Sequence, residues 1–326
     1  MLWTPKRISL AFAFMSSTEP TGAKPLSKPA VFVRRLGSFI VLWSIILGAL
    51  FSGNKIVSDS VFLTIMLLLA GLGLAEFYGL VEKRELVCFK GWGIFGGLLL
   101  MGSTFFYLSG ELGFQVSAAK ANDFETSFLI IFVLGLCVRQ FVSRSNTAGI
   151  LAISTTLFGL MYVPWLLNFI QKINFFPGIS DNGKFYVLYF ILLTKFSDTG
   201  AYLSGSLFGK HKMIPRISPN KTWEGFAGAI VFSTVASVVF AHTAGPRLAG
   251  MNWAHAIILG ILLSATAVIG DLIESLFKRE AGVKDSGGFF PGIGGILDLL
   301  DSLLFNAPLM YLYLRHVLSR SVVGAF

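Results

Sequence analysis

Residues 253–277 read WAHAIILGILLSATAVIGDLIESLF, and the eighteen positions from Trp253 to Gly270 contain no Asp, Glu, Lys or Arg. A membrane-spanning helix needs about 20 mostly apolar residues, so this stretch predicts a helix that crosses a bilayer. Comparable runs recur along the chain. Nine spans are predicted, at approximately 36–52, 57–80, 90–109, 125–143, 147–170, 185–207, 225–242, 253–277 and 302–318. The sequence therefore predicts an all-α, polytopic membrane helical bundle.

The composition excludes an ordinary soluble domain. Of the 326 residues, 54% are hydrophobic and 13% are charged, whereas soluble domains carry about 25% charged residues. The mean hydropathy is +0.74. A net charge of +9 raises the alternative of nucleic-acid binding, but in a membrane protein it is typical of cytoplasmic loops facing anionic lipid head groups. We expect an integral membrane protein with no nucleic-acid partner.

Lys and Arg are unevenly divided between the two sides of the predicted membrane. The N-terminal tail and alternate loops carry eighteen of them and the other side carries seven, with Lys195 left out because it lies within a span. Cytoplasmic loops are enriched in Lys and Arg. The distribution therefore predicts a cytoplasmic N-terminus.

The chain is predicted to have three parts. Residues 1–34 form a basic tail that we expect to be disordered, because it includes a stretch rich in Pro, Ser and Thr. Residues 35–180 supply about five spans with few charges and are expected to be scaffold. Residues 181–326 supply about four spans and the cytoplasmic loops 208–224 and 278–301. Since charges in membrane segments usually serve function, this third part is the expected functional domain.

One group of polar residues runs from the sixth span into the loop after it. Lys195 and Asp198 share a helical face and can pair, and a purely structural ion pair between helices is the alternative. The loop continues as GKHKMIPRISPNKTWE at 209–224. Hydroxyl groups, Lys side chains and the amides at a helix start together suit a polyphosphate. The residues that offer these groups include Lys210, Ser218, Lys221 and Thr222.

A second group lies in GDLIESLFKREAGVKDSGGFFPGIGGILDLLDS at 270–302. Asp298 and Asp301 are three residues apart at the start of the last helix, so both carboxylates are expected to face one way. Asp271 ends the preceding antiparallel span at the same membrane face. Three converging carboxylates would repel one another without a cation, and oxygen ligands favour Mg²⁺. We predict a Mg²⁺ site at Asp271, Asp298 and Asp301, with a second cation left open and a capping role for Asp298 as the alternative.

The stretch GWGIFG at 91–96 has the spacing of a dinucleotide-binding loop. It lies at the start of an apolar span and follows no strand. Gly93 and Gly97 are instead expected to form a small-residue face for helix packing.

The two polar groups together resemble the phosphatidate cytidylyltransferase (CDP-diacylglycerol synthase) family. Its pattern runs roughly S-x-x-K-R-x4-K-D-x-G-x3-P-G-H-G-G-x-x-D-R-x-D, and the blocks at 197–202 and 218–224 are also similar to it. The positions that fit the long pattern are Ser275, Lys278, Arg279, Lys284, Asp285, Pro291, Gly292, Gly294, Gly295, Asp298 and Asp301. Two positions depart from it, because Ile293 replaces the family His and Leu299 the family Arg.

The resemblance implies transfer of CMP from CTP to phosphatidate, giving CDP-diacylglycerol and pyrophosphate, and makes 181–326 the catalytic domain. Phosphatidate would come from the inner leaflet and CTP from the cytoplasm, at the cytoplasmic face of a bacterial inner membrane. A homodimer is left open. The implied catalytic residues are Lys278, Arg279, Lys284 and Asp285. The implied substrate-binding residues are Ser197, Asp198, Lys210, Ser218, Lys221, Thr222 and Glu224.

Three other functions stay open. Neither Ile293 nor Leu299 can donate a hydrogen bond to a phosphate, which leaves an altered or non-catalytic relative possible. A CTP-dependent polyprenol kinase needs similar chemistry. An ion-coupled transporter would use Lys195, Asp198 and Asp271, although transporter sites tend to lie at mid-bilayer between repeated halves.

Overall fold

A computed structural model of the chain describes residues 53–110, 113, 118–143, 147–177, 183–287 and 294–319, together with the single positions 44 and 48. Most of these residues are helical. The helices are α1 (Lys55–Lys83), α2 (Lys90–Ser109), α3 (Ala118–Val142), α4 (Gly149–Leu160), α5 (Leu166–Asn174), α6 (Gly183–Phe208), α7 (Trp223–Ala244), α8 (Trp253–Glu280) and α9 (Ile296–Tyr313). Shorter helical turns cover Met161–Trp165, Gly245–Arg247 and Leu314–Leu318.

Seven helical stretches within the described part of the chain are long and apolar enough to cross a membrane. The prediction of an all-α, polytopic membrane bundle is confirmed. The helix α6 is not one of the seven, although its 26 residues would extend about 39 Å. It carries Lys195 and Asp198 within its length. The seven stretches cover 55–83, 90–109, 120–142, 149–174, 223–247, 253–280 and 296–318.

Eight of the nine predicted spans coincide with helices, and the last helix begins at Ile296 rather than at 302. The ninth, at 36–52, lies outside the described residues apart from positions 44 and 48, as does the predicted tail 1–34. The count of nine spans, the cytoplasmic N-terminus and the three-part division therefore remain predictions.

The loop between α6 and α7 folds into a small antiparallel hairpin of β1 (Lys212–Ile214) and β2 (Ser218–Thr222). Lys212 lies opposite Thr222, and the pairing is irregular before Ile214 meets Ser218. The side chain of Thr222 then caps α7 by accepting a 3.1 Å hydrogen bond from the Gly225 amide. We call this end of the bundle, where α6 and α8 end and α7 and α9 begin, the hairpin end.

Glycines bring α1 and α2 into close contact in the first half of the chain. A methyl group on Gly93 would overlap the Tyr78 hydroxyl, and one on Gly97 would overlap Leu74. The predicted packing face is thus confirmed. Tyr78 Oη also donates a 2.7 Å hydrogen bond to the Thr156 carbonyl oxygen, which ties α1 to α4.

The helices α4 and α5 follow one path, interrupted by a π-helical turn at Met161–Trp165 that contains Pro164. Proline lacks the amide that continues the helical hydrogen-bond ladder, and single π turns accommodate such a break. The ring of Pro164 lies against α2 beside Gly97.

Polar side chains join α6, α8 and α9 below the hairpin end. Asn306 on α9 donates a 2.7 Å hydrogen bond to Thr194 on α6 and accepts a 2.6 Å hydrogen bond from Thr266 on α8. Ser197 and Ser264 lie 3.0 Å apart between α6 and α8. Hydrogen bonds between membrane helices stabilise their association, so these contacts fix the three helices that carry the charged residues described next.

Candidate active site

Five charged residues from four elements lie together near the hairpin end. We call them the Lys221–Asp271 cluster; they are Lys195 and Asp198 on α6, Lys221 on β2, Asp271 on α8 and Asp301 on α9. Lys221 Nζ lies 2.7 Å from Asp271 Oδ2 and donates to the Val268 carbonyl oxygen at 3.3 Å. Lys195 Nζ lies 3.4 Å from Asp198 Oδ2. The predicted Lys195–Asp198 pair is confirmed.

Asp301 is the member of this cluster that has no cationic partner within 4 Å among the described residues. Its charge interacts with those of Asp271, Asp198 and Lys195. The helices are close at this point, since a methyl group on Gly270 would lie 2.5 Å from the Asp301 carbonyl oxygen. With every group ionised, three carboxylates face two ammonium groups. In that state the cluster would carry an excess of negative charge that a bound cation would offset.

Asp298 is held by a different set of partners. Its Oδ1 lies 2.6 Å from Lys278 Nζ, and its Oδ2 accepts hydrogen bonds from the Gly295 amide at 2.7 Å and the Ser286 hydroxyl at 2.9 Å. Lys278 also contacts the buried Glu274 carboxylate. The bond to Gly295 is the cap interaction that satisfies a free amide at a helix start. The carboxylates of Asp298 and Asp301 thus bind separate partners despite their three-residue spacing.

Glu76 on α1, in the first half of the chain, accepts hydrogen bonds from the backbone at the start of α9. Its Oε1 accepts a 3.0 Å hydrogen bond from the Ile296 amide, and its Oε2 accepts one of 2.8 Å from the Leu297 amide. The Ser286 hydroxyl donates to the same Oε2 at 3.0 Å. Since the first amides of a helix have no partner within it, Glu76 and Asp298 together satisfy those of Gly295, Ile296 and Leu297.

The donor chemistry of the Lys221–Asp271 cluster fits a hard cation, because carboxylate oxygens are the ligands that Mg²⁺ prefers. Asp271 and Asp301 belong to this cluster, whereas Asp298 is occupied by Lys278, Ser286 and Gly295. In the described ranges, no three or more His, Cys, Asp or Glu side chains are grouped so as to hold a metal ion. The site at Asp271, Asp298 and Asp301 stays a prediction, and two of its three carboxylates each pair with a lysine, Asp271 with Lys221 and Asp298 with Lys278.

The hairpin holds the residues expected to bind phosphates. The Glu224 carboxylate accepts hydrogen bonds from the Lys210 amide at 3.1 Å and the His211 amide at 3.2 Å, and lies 2.6 Å from His211 Nδ1. This carboxylate therefore fastens the start of the hairpin to α7. Lys210 has an exposed side chain, and Ser218 is half-buried.

The remaining predicted catalytic residues lie beside the hairpin. Arg279 Nε donates to the Ile217 carbonyl oxygen at 3.2 Å, and its Nη1 donates to that of Val283 at 3.3 Å. Arg279 thus links the hairpin to the turn at 281–287. Lys284 and Asp285 are exposed on that turn, and their side chains make no hydrogen bond or ion pair with the described residues.

Comparison with known proteins shows the family to which the chain belongs. The sequence profile described as the Cytidylyltransferase family matches residues 33–317. The chain belongs to the cytidylyltransferase family. It is 37% identical over 161 residues to Uncharacterized protein YnbB of Escherichia coli, covering 49% of this chain and 51% of that protein.

Two relatives named phosphatidate cytidylyltransferase are also similar. The Haemophilus influenzae protein is 45% identical over 128 residues, covering 39% of this chain and 44% of its own length. The Staphylococcus haemolyticus protein is 37% identical over 205 residues, covering 59% and 78%. The matched region spans about half the length of the Escherichia coli and Haemophilus influenzae relatives.

This cytidylyltransferase family member departs from the family pattern at two positions. Leu299 lies half-buried on α9, where an aliphatic side chain supplies no donor for a phosphate. Ile293 lies outside the described residues, as do Pro291 and Gly292.

Two residues of the site, Glu76 and Glu274, were not predicted from the sequence. Glu76 lies in the predicted span 57–80, within the part expected to be scaffold, and Glu274 lies in the second polar group, one residue before the family pattern begins. A buried acid in a membrane helix needs partners. That rule predicts partners for Glu76 but does not identify them as the amides at the start of α9.

Proposed function

We propose that this chain transfers CMP from CTP to phosphatidate, giving CDP-diacylglycerol and pyrophosphate. The observation that carries the proposal is the Lys221–Asp271 cluster, which joins two cations and three acids from both polar groups of the sequence at one end of a membrane bundle. Family membership over residues 33–317 and the names of the two relatives support the same reaction. They favour it over a polyprenol kinase or an ion-coupled transporter.

In the proposed reaction, an oxygen of the phosphatidate phosphate attacks the α-phosphorus of CTP. A phosphorus–oxygen bond forms there, and the bond from the α-phosphorus to the oxygen bridging the β-phosphorus breaks, so pyrophosphate leaves with the electron pair. The nucleophile is already an anion and needs no strong base. Catalysis of phosphoryl transfer consists mainly of alignment and charge neutralisation.

The proposed roles follow from position and charge. Lys221, with Ser218 and Thr222, would hold the CTP phosphates at the hairpin. Lys284 is exposed on the neighbouring turn, where it would offset charge on the lipid phosphate or the departing pyrophosphate. Arg279 is proposed to hold the hairpin and this turn together.

We propose that Asp271 and Asp301 hold Mg²⁺, with a second cation left open. Bound there, the metal would neutralise charge on both reacting phosphates. Lys278 and Asp298 would position the start of α9, and with it Asp301. Asp198 and Lys195 would line the same site from α6.

We place the site at the cytoplasmic face of a bacterial inner membrane, because the hairpin and the 281–287 turn belong to the Lys- and Arg-rich side. Phosphatidate would enter from the inner leaflet and CTP from the cytoplasm. The boundary of the membrane is where a nucleotide and a lipid phosphate can meet. A homodimer is compatible with this arrangement.

The test is a transfer assay on the purified full chain with labelled CTP, phosphatidate and Mg²⁺. We expect labelled CDP-lipid from the wild type and none from Asp301→Ala. The opposite result, CTP binding without product above the Asp301→Ala background, would favour a non-catalytic relative.

That second candidate, an altered or non-catalytic relative, draws support from one observation. The His and Arg of the family pattern are replaced by Ile293 and Leu299, and two lost charged hydrogen bonds would weaken catalysis by about 1.5–3 kcal/mol each. The double substitution Ile293→His with Leu299→Arg distinguishes the candidates. A large gain of activity in the double variant would mean that these positions limit the chemistry.

A further inference from the structure

Ser286 is a buried residue in a turn whose neighbouring side chains are exposed. It lies in the turn at 281–287 that follows α8, and 7% of its surface is accessible. Lys284 and Asp285, directly before it, are both exposed. Serine is mostly a surface residue, and a buried hydroxyl needs hydrogen-bond partners. The burial of Ser286 therefore indicates that the turn is attached to the bundle at this residue.

The partners of Ser286 lie on two helices that are far apart in the sequence. Its hydroxyl is 2.9 Å from Asp298 Oδ2 on α9 and 3.0 Å from Glu76 Oε2 on α1. Since a hydroxyl carries one proton, it donates to one of these carboxylates at a time. The Ser286 amide also donates to Asp298 Oδ2, at 3.1 Å. The turn is thus bound to α9 through backbone and side chain, and to α1 through the side chain alone.

Glycines bring the turn into close contact with α1 and with the start of α9. A methyl group on Gly287 would overlap the Glu76 carboxylate. A methyl group on Gly295 would overlap both that carboxylate and the Ser286 hydroxyl. The three segments are therefore closely packed around the Ser286 hydroxyl as well as hydrogen-bonded through it.

The other end of the turn is fixed to α8. The Val283 amide donates to the Lys278 carbonyl oxygen at 2.9 Å, and the Val283 carbonyl oxygen accepts from Arg279 Nη1 at 3.3 Å. Two residues, 284–285, separate Val283 from Ser286. Because this short segment is held on both sides, its backbone has little conformational freedom left to lose.

We propose that Ser286 is a positioning residue that fixes the turn carrying Lys284 to α1 and α9. The inference rests on the proposed function, in which Lys284 offsets charge on a reacting phosphate. The Lys284 side chain makes no hydrogen bond or ion pair with the described residues, so the backbone of the turn sets the region that its ammonium group can reach. Misplacing a group by about 1 Å can lower a rate about a hundredfold. Glu76, on a helix expected to be scaffold, acts on the turn through Ser286.

A double-mutant cycle tests whether Ser286 acts through Lys284. Ser286→Ala should lower kcat in the transfer assay about five- to tenfold, which is what one buried hydrogen bond is worth. In the Lys284→Met background the same substitution should change kcat by less than about twofold, because residues that act through one another are not additive. An equal loss in both backgrounds would mean that Ser286 acts independently of Lys284 and would overturn the proposal.

Ser237→Ala is the matched control for this cycle. The Ser237 hydroxyl is also buried and also has two partners, the Tyr189 hydroxyl and the Ala256 carbonyl oxygen. Since Ala256 lies in the first turn of α8, this contact is far from the turn that follows the end of α8. Ser237→Ala should lower the unfolding temperature but leave kcat near wild type in both backgrounds. A loss of kcat equal to that of Ser286→Ala would mean that any buried serine has this effect, which would also overturn the proposal.

Limited cleavage by trypsin after Lys284 tests the attachment of the turn without an assay of activity. Cleavage follows the population of the open segment, so Ser286→Ala should be cut there about five- to tenfold faster than wild type. Ser237→Ala should be cut at the wild-type rate. Ser286→Cys keeps the size of the side chain but offers only a weak donor, so it gives the same test if Ser286→Ala does not fold.

The two measurements separate this inference from the proposed reaction. If the wild type makes no CDP-lipid, the proposed function fails, whereas faster cleavage of Ser286→Ala still supports the attachment of the turn through Ser286. Equal cleavage of Ser286→Ala and wild type would overturn the attachment, whether or not the protein is active.

Discussion

The Glu76 carboxylate accepts a 2.8 Å hydrogen bond from the backbone amide of Leu297. Glu76 lies on α1, in the half of the chain predicted to be scaffold, while Leu297 lies in the first turn of α9. Because Asp301 follows Leu297 by one helical turn, the contact links the first half of the bundle to the placement of a proposed metal ligand.

Glu76→Gln should lower both stability and activity. An amide side chain keeps one acceptor oxygen but puts an NH₂ group opposite backbone donors, which leaves buried amides unsatisfied at about 1–3 kcal/mol each. We expect a lower unfolding temperature and a reduced kcat/KM in the transfer assay. Glu82→Gln is the control on the same helix, since the Glu82–Lys90 pair is exposed and such pairs contribute about 0–1 kcal/mol. If the two variants unfold at the same temperature and are equally active, the proposed role of Glu76 is wrong.

The spans could be predicted from the sequence because apolar length is a local property of a segment. The start of α9 could not, because it depends on a carboxylate 220 residues away from Ile296. The hairpin was also missed, since β1 and β2 are short and lie in a segment that reads only as a loop.

Local spacing predicted one site contact, whereas the contacts of another residue pair depend on neighbouring elements. Lys195 and Asp198 are three residues apart and pair as expected. Asp298 and Asp301 have the same spacing, yet Lys278, Ser286 and Gly295 hold Asp298. A three-residue spacing places two side chains on the same face of a helix. The partners on neighbouring elements then determine which groups each carboxylate contacts.

Lys221→Met and Asp271→Asn should each reduce kcat/KM about ten- to a hundredfold, because each removes one side of a 2.7 Å ion pair at the proposed site and a charged hydrogen bond is worth about 1.5–3 kcal/mol. The transfer assay measures this directly. Arg84→Met and Glu280→Gln disrupt another ion pair near the hairpin end, one of 3.6 Å between exposed side chains, and should leave kcat/KM near wild type. Similar losses in all four variants would argue against a special role for Lys221 and Asp271.

Lys172→Met should destabilise the protein strongly, although Lys172 is not a residue of the proposed site. Lys172 Nζ lies 2.5 Å from Glu125 Oε2, both side chains are almost fully buried, and breaking a buried pair typically costs about 3–5 kcal/mol. The double variant Glu125→Gln with Lys172→Met removes both charges and should recover most of that loss. Thermal unfolding in detergent measures the effect. A double variant no more stable than Lys172→Met would show that the unpaired Glu125 charge is not the cause.

Asp301→Asn and Asp298→Asn should separate metal binding from helix positioning. If Asp271 and Asp301 bind Mg²⁺, the ion stabilises the folded wild type by about 2.7 kcal/mol at a hundredfold excess over its Kd, and Asp301→Asn should abolish this increment. Asp298→Asn keeps only one acceptor oxygen for the Gly295 amide and Lys278 and loses the charge that pairs with Lys278, so it should unfold at a lower temperature yet retain the increment. Unfolding scans with and without Mg²⁺, each repeated with CTP, measure both effects. Loss of the increment in Asp298→Asn as well would mean that all three carboxylates bind the metal, as the sequence predicted.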